Sequence, residues 1–312
     1  MPASPVTHTA TASGETMRSG VQGHRAGGPH PVYLDPRTRA SLFALLDDAF
    51  PRLAERIANA AADGFVWEDV TEPFVRFEDG DAVSHVGVLA HRVELDGREV
   101  VVAGVHAVAT RSDRRRRGLA RACLADATRW IDERFSISKL GTNVPAVYAP
   151  HGFRPLGMHH FAVDHAGGED RGRPLRADTE RAWFLDLCAH RDPVSHRFAS
   201  RDPGWLVGID LALQRRSLAD LVVLDALGAV VDWSVTDGVL ELHDVFAREL
   251  PRLDDLLRLA PPHRAARVMF CADRLAPRAP AVPMPEAGWW MVRGDWPLGD
   301  EVPFAVGWLA DH

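Results

Sequence analysis

The chain has 312 residues, a length typical of two domains or one large one, and its formal net charge is −7 at pH 7. Hydrophobic residues make up 46% and charged residues 25% of the chain, which predicts a globular protein with a packed core. The acidic balance argues against nucleic acid as a partner. The sequence holds no apolar run of roughly 18 residues, so no membrane-spanning segment is expected.

The cysteines and the N-terminal segment exclude further classes. Cys123, Cys188 and Cys271 are far apart and form no CxxC pair, so neither a disulfide framework nor a zinc site is expected. Residues 1–30 are rich in Ser, Thr, Gly and His and lack the apolar core of a signal peptide. This composition predicts a disordered tail and a cytoplasmic protein.

The first ordered elements are predicted to be two helices followed by three strands. Leu42, Leu45 and Leu46 have helical spacing after the Asp35–Pro36 start signal, and a second helix is expected to end at Gly64. Three strand-like runs follow, with turns expected at Gly80–Asp81 and Asp96–Gly97. The run from 100 to 109 is almost entirely apolar, which predicts a central strand covered on both faces.

The rest of the chain divides into the end of a first domain, a linker and a second domain. An amphipathic helix after RRRRGLA, a strand, a short helix and one last strand over 154–164 complete a domain at 31–165. Residues 166–178 have the polar, Gly-rich composition of a linker. The sequence of residues 179–312 predicts a helix, a hairpin, a second helix and a strand. This order partly repeats the first half and suggests an internal duplication. The expected fold class is α/β with mixed sheets.

One segment carries a chemical motif. Residues 115–120 (RRRGLA) fit the pattern [Q/R]-x-x-G-x-[G/A] between a buried strand and a helix. Such a turn exposes backbone N–H groups at the start of a helix, where the helix dipole favours an anion such as a pyrophosphate. Gly118 and Ala120 would let phosphates approach the backbone closely. The alternative is an ordinary solvated basic turn.

This segment and AVYAPHGFRP (146–155) together resemble motifs A and B of the GNAT acetyltransferases. Tyr148, Gly152 and Phe153 match the second motif. The resemblance implies a GNAT fold in the N-terminal half. ELHDVFARELPRLDDLL in the C-terminal half is similar to the degenerate second unit of tandem GNAT proteins, which implies a second, smaller GNAT-like α/β domain at 179–312. The implied co-substrate is acetyl-CoA, with no metal.

The resemblance also implies roles for individual residues. Backbone groups of Val108 and Thr110 would hold the pantetheine and the thioester carbonyl. Tyr148 would protonate the leaving thiolate, and His106 stands where many members of the family carry a glutamate base. The residues that match the family's pyrophosphate loop are Arg115, Arg116, Gly118 and Ala120.

Several of these assignments have alternatives. Tyr148 is one of only two tyrosines in the chain, so its hydroxyl is expected to have a use, although it could be an ordinary half-buried aromatic residue. His106 lies in an apolar strand, where a hydrogen-bonded core histidine is the common outcome. The histidines at 159, 160 and 165 have no carboxylate or thiolate partners at ligand spacing, so no metal site is expected there.

The acceptor is predicted to be a cationic amine on a small molecule. Glu78, Asp79 and Asp81 are candidate substrate-binding carboxylates, with a solvated turn as the alternative. The first interpretation is an N-acetyltransferase that acts on an aminoglycoside-type antibiotic, and thus in antibiotic resistance. Acetylation of a protein or peptide amine and a non-catalytic acyl-CoA sensor are the alternatives. No nucleic acid or membrane partner is expected, and a homo-oligomer is left open.

Overall fold

The computed structural model describes residues 30–285, 288–307 and 309. Within them, two mixed sheets of seven strands each are flanked by helices, so the α/β class with mixed sheets is confirmed. Apart from His30, the expected tail at 1–30 lies outside the described residues. The α-helices are α1 (Pro31–Leu34), α2 (Pro36–Ala49), α3 (Leu53–Ala62), α4 (Leu119–Asp132), α5 (Ala177–Ala189), α6 (Trp205–Leu213) and α7 (Leu253–Leu259).

Each sheet combines strands from both halves of the chain. The first sheet contains β1 (Glu72–Glu78), β2 (Asp81–Leu95), β3 (Arg98–Thr110), β4 (Ile137–Thr142), β5 (Arg154–Leu156), β8 (Phe198–Ser200) and β14 (Trp289–Gly294). The second contains β6 (His159–Val163), β7 (Arg173–Pro174), β9 (Val222–Leu224), β10 (Ala229–Thr236), β11 (Val239–Phe246), β12 (Ala265–Val268) and β13 (Ala281–Pro283).

The first helices and strands agree with the prediction from sequence. The Asp35 carboxylate accepts the Thr38 N–H at 2.8 Å and caps α2. Such a cap is worth about 0.5–2 kcal/mol. The β2–β3 hairpin turns at Asp96 and Gly97, whose φ angles of 50° and 72° are both left-handed, as a two-residue hairpin turn requires. β3 lies between β2 and β4, which confirms it as a central strand.

The two sheets exchange one strand with each other. β6 leaves the first half and pairs with β12 and β13, while β14 inserts between β4 and β5. The prediction of one strand over 154–164 was therefore wrong. β5 ends at Leu156, because β14 takes the position beside it, and the chain crosses to the second sheet. The expected boundaries at 165 and 179 thus do not separate the sheets.

The segment expected to be a linker also belongs to the second sheet. β7 pairs with β9, and the Gly167 N–H donates to the His263 carbonyl at 2.8 Å. α5 begins at Ala177, inside the range predicted for the linker.

The strand orders of the two sheets correspond. The order in the first sheet is β1-β2-β3-β4-β14-β5. The order β9-β10-β11-β12-β6-β13 in the second sheet corresponds to it strand by strand. β3 pairs with β4 in parallel, as β11 pairs with β12, and each of these pairs is bridged by a helix, α4 or α7. The exchanged strands β14 and β6 occupy equivalent places. The suspected duplication is therefore visible in the topology.

Two apolar clusters cover the two faces of the first sheet beside β3. The α4 cluster includes Val105, Cys123, Leu140 and Tyr148, with Val108 packed against it. The Trp67 cluster, on the face of α1, α2 and α3, includes Tyr33, Phe43, Trp67, Leu89 and Ala109.

Candidate active site

β3 and β4 separate from each other toward their C-terminal ends. They pair only at Ala103↔Ser138 and Gly104↔Lys139, whereas β3 continues to Thr110. The edge of β3 from 105 to 110 that faces β4 therefore pairs with no strand of the described residues. Main-chain groups on such an edge are free to bind an extended ligand.

The alternation of the strand identifies which main-chain groups face this open edge. The Arg111 N–H donates to the Val83 carbonyl of β2 at 3.0 Å, so the groups of Arg111 and, two residues earlier, Ala109 point toward β2. Those of Val108 and Thr110 must then point toward β4. The Arg115 side chain donates to the Thr110 carbonyl at 3.3 Å, which agrees with this direction.

A β-bulge interrupts β3 just before these residues. His106 pairs with Gly87 and Ala109 pairs with His85, so Ala107 and Val108 together oppose Val86. Ala107 has φ = +48°, a left-handed conformation that a residue with a Cβ rarely adopts. Such strain costs about 1–3 kcal/mol and is concentrated at functional sites. The bulge thus marks this part of β3 as a candidate site.

A buried histidine contacts the bulge. The His85 side chain is fully buried, and its Nδ1 donates to the Ala107 carbonyl at 2.8 Å. Burial lowers the pKa of His85 to about 4, and the hydrogen bond to Ala107 opposes this shift only partly. His85 is therefore neutral at physiological pH. The sequence analysis did not single it out, although a histidine in the apolar run SHVGV was a usable signal.

The predicted phosphate loop follows β3 and has the expected geometry. Gly118 has φ = +78° and is the N-cap of α4, and no atom lies within 4 Å of where its Cβ would stand. Within this fully described loop, the backbone N–H groups from Arg116 to Ala120 donate no hydrogen bond to protein. A helix start with several free N–H groups and open space above it fits an anion such as a pyrophosphate.

The loop is anchored by carboxylates. Glu78 accepts hydrogen bonds from Arg114 Nε at 2.9 Å and from Arg117 at 3.4 Å. The Ser112 N–H donates to Asp48 of α2 at 2.8 Å. Arg115 and Arg116, the loop arginines assigned to the pyrophosphate, are exposed.

These contacts change the interpretation of the predicted substrate carboxylates. Glu78 is paired with loop arginines and is not available to a cation. Asp79 lies at the exposed hairpin turn with φ = 53°. Asp81 is 3.5 Å from Arg111 and lines a groove of about 670 Å³ between α2 and the loop, together with Asp48 and Asp113. Of the three predicted residues, Asp81 alone lines this groove.

Tyr148 lies on the face of the α4 cluster, to which Val108 also belongs. It sits at the end of a 3₁₀ turn (Pro145–Val147), and its side chain is only 6% exposed. Burial raises the pKa of its hydroxyl above the ordinary 10.0, and a hydrogen bond with the Thr142 side chain opposes this to a smaller extent. The phenol is therefore protonated at neutral pH and able to donate a proton.

His106 lies on the opposite face of the sheet. Its half-buried ring meets Trp67 edge-on, with ring centroids 5.5 Å apart, and its Nε2 is 3.4 Å from the Thr71 hydroxyl. A Cβ on Gly87 would stand 2.8 Å from the same nitrogen, so a larger residue at this position would displace the ring. His106 and Tyr148 thus lie on opposite faces of the sheet, with the His106 ring above Gly87 of β2.

Comparisons with known proteins identify the family to which part of the chain belongs. Residues 36–156 match the family described as "Acetyltransferase (GNAT) domain". Residues 36–156 are therefore a GNAT acetyltransferase domain. The matched range contains the open edge of β3, the loop and Tyr148, so the features described above all belong to the GNAT domain. No curated protein sequence matches the chain.

Solved structures resemble the chain beyond the GNAT domain. A conserved protein of unknown function from Enterococcus faecalis V583 is 13% identical, with a TM-score of 0.58 over 82% of this chain and 69% of that one. GCN5-related N-acetyltransferases from Anabaena variabilis ATCC 29413 and Kribbella flavida are 15% and 17% identical. Their TM-scores are 0.55 and 0.53, over 83% and 82% of this chain and 71% and 68% of theirs. At these identities the likeness concerns the fold, which extends over both sheets.

Neither a metal-binding cluster nor a membrane-spanning helix is found in the part of the chain that the structure describes. No three His, Cys, Asp or Glu side chains in 30–285, 288–307 and 309 converge so that they could hold a metal ion. None of the helices in this part of the chain has the length and apolar character needed to cross a bilayer.

Proposed function

We propose that the chain is an acetyl-CoA-dependent N-acetyltransferase that acts on an amine of a small molecule. The observation that carries the proposal is the open edge of β3, which leads directly into a helix start with free N–H groups. An extended thioester with a pyrophosphate needs this combination of an unpaired strand edge and an anion site. The GNAT acetyltransferase domain supports acyl transfer in general.

The N-terminal end of α4 would bind the pyrophosphate. The N–H groups from Arg116 to Ala120 donate to phosphate oxygens, and the left-handed Gly118 keeps side-chain bulk out of the site. Arg115 and Arg116 add positive charge. Val108 and Thr110 hydrogen-bond the pantetheine along the edge of β3.

Different residues of the chain would then carry out the separate proton transfers of the reaction. His106 accepts the proton that the attacking amine loses as its nitrogen forms the new C–N bond. The Val108 N–H donates to the carbonyl oxygen, which takes up negative charge when the C=O bond opens. As the C=O bond re-forms and the C–S bond breaks, Tyr148 gives its proton to the CoA sulfur. His106 then releases its proton to solvent, and Tyr148 regains one from solvent. Each positioned proton-transfer group typically contributes about 10²–10⁴-fold to the rate.

Charge supports a cationic acceptor. The net charge of −7 attracts a polyamine or aminoglycoside over long range. In the groove next to the loop, Asp113 is paired with Arg111 and Arg114. Asp48 and Asp81 are therefore the carboxylates offered to a cation there. An aminoglycoside-type amine is therefore the first acceptor to test, followed by linear polyamines and peptides.

The test is a panel assay of CoA thiol release from acetyl-CoA with aminoglycosides, polyamines and peptides. We expect release that depends on a small cationic amine and that the Tyr148→Phe variant lowers. Thiol release that occurs with peptide acceptors and with no other amine would favour a protein acetyltransferase. Calorimetric binding of acetyl-CoA without release for any amine would overturn the catalytic proposal and favour an acyl-CoA sensor.

A further inference from the structure

The buried His85 makes an asymmetric set of contacts. A carbonyl oxygen only accepts hydrogen bonds, so the 2.8 Å contact with Ala107 requires a proton on Nδ1 and leaves a lone pair on Nε2. Among the described residues, Nε2 has no hydrogen-bond partner. An apolar side chain would avoid the cost of this orphaned nitrogen. The ring is therefore better explained by its bond to Ala107 than by packing alone.

The Ala107 carbonyl and the Val108 N–H belong to one peptide unit. Peptide units are planar, and the described part of the chain contains no cis peptide bond, so the two groups point in opposite directions. His85 holds the oxygen on the side of β2. The N–H at the other end of the same plane must then point toward the open edge of β3.

This peptide needs an external constraint. Ala107 is left-handed at φ = +48°, and the bulge removes the peptide from the regular ladder between β2 and β3. β4 provides no partner for Ala107 or Val108, since its pairing with β3 ends at Gly104↔Lys139. The hydrogen bond from His85 fixes the one end of the peptide that faces the protein interior.

We propose that His85 is a positioning residue that aims the Val108 N–H at the carbonyl oxygen of the acetyl donor. It touches neither substrate and acts through the rigid peptide between Ala107 and Val108. This inference rests on the proposed function, because the direction of the N–H matters only if an acyl carbonyl lies at the open edge. A donor to a developing oxyanion acts mainly on the transition state, so its loss should lower kcat more than it raises KM.

The test compares three variants of the full chain. His85→Asn carries an amide N–H close to the position of Nδ1, His85→Gln carries one close to that of Nε2, and His85→Leu fills the space without a donor. For His85→Leu and His85→Gln we expect kcat to fall about 10–100-fold while KM for acetyl-CoA changes less than about threefold. His85→Asn should recover most of the parent's kcat. Equal kcat in the Asn and Leu variants, or an unchanged kcat in both, would overturn the proposal.

A second measurement tests the proposal even if the variants fail to fold or the parent shows no activity. ¹⁵N NMR of the parent reports which nitrogen of His85 carries the proton. A neutral ring protonated on Nδ1 supports the proposal, and a ring protonated on Nε2 overturns it, whatever the activity. A parent that neither binds nor turns over acetyl-CoA would refute the proposed function separately.

Discussion

The two halves of this chain build the same strand order, yet they differ where a helix follows the central strand. In the GNAT domain, Gly118 starts the 14-residue α4 in a left-handed conformation with free N–H groups. In the second half, Leu250, Pro251 and Arg252 precede the seven-residue α7. Pro251 has no N–H, and Arg252 caps the helix in an extended conformation. The second loop therefore cannot form the anion site of the first.

The halves also differ in their bulges. β11 carries one extra residue, His243, between Asp232↔Asp244 and Trp233↔Leu242, at the strand equivalent to β3. No residue of β11 has a positive φ, whereas Ala107 in β3 does. Both tyrosines of the chain, Tyr33 and Tyr148, precede residue 179. The duplicated topology thus supplies two sheets, while the candidate chemical groups belong to one copy. This agrees with the general rule that function resides in sites rather than in folds.

The largest expected effect comes from placing a charge in each of the two loops. Gly118→Asp puts a carboxylate into the open space above α4 and should abolish stabilisation by acetyl-CoA, which is about 2.7 kcal/mol at 100 times the dissociation constant. Arg252→Asp, the change at the equivalent helix start, should leave it intact. Thermal unfolding with and without acetyl-CoA measures both.

Two controls sharpen this test. Gly118→Asn has the same bulk and backbone strain without the charge, so any difference from Asp is electrostatic. The full chain must be used, because residues 179–312 alone would lack β6 and β7. An acetyl-CoA shift that survives in Gly118→Asp and disappears in Arg252→Asp would reverse the assignment of the two loops.

The next largest effect concerns the tyrosine that only the first half contains. Tyr148→Phe keeps the ring and its place in the α4 cluster but removes the proton donor. We expect kcat to fall by about 10²-fold or more, with little change in acetyl-CoA binding. Because burial raises the pKa of Tyr148, the parent should lose no activity through its ionisation as the pH rises toward 10. Tyr33→Phe is the matched control. Equal losses in both variants would point to packing instead.

His106 should give a smaller effect that depends on pH. A base helps most while the attacking amine still carries its proton. His106→Asn should therefore lower kcat/KM roughly tenfold near pH 7 and less at higher pH, where more of the amine is already free. The measurement is the pH profile of kcat/KM for the parent and for His106→Asn, with the same amine. An unchanged profile would identify His106 as a core histidine packed on Trp67.

Much of the GNAT domain could be predicted because its signals are local. The cap at Asp35, the spacing of leucines in α2 and the glycine before α4 each act within a few residues. The strand exchange was missed because β6 and β14 are short, and what places them is pairing with strands far away in sequence. The bulge was missed because alanine gives no sign of a left-handed conformation. His85 and the pairing of Glu78 with Arg114 depend on contacts across strands that one sequence does not reveal.

The smallest expected effect tests how the first loop balances its charge. Glu78 is paired with Arg114 and Arg117, which weakens the attraction of the loop for phosphate. Glu78→Gln should free Arg117 and leave Arg114 paired with Asp113 alone. Acetyl-CoA binding should then tighten roughly twofold to fivefold, the range expected for a partly exposed ion pair. The binding should also become more dependent on salt, since freed charges are screened. Asp79→Asn, one residue further at the exposed turn, is the control and should change neither. If Glu78→Gln instead weakens binding, the carboxylate holds the loop in shape, and its structural role outweighs its charge.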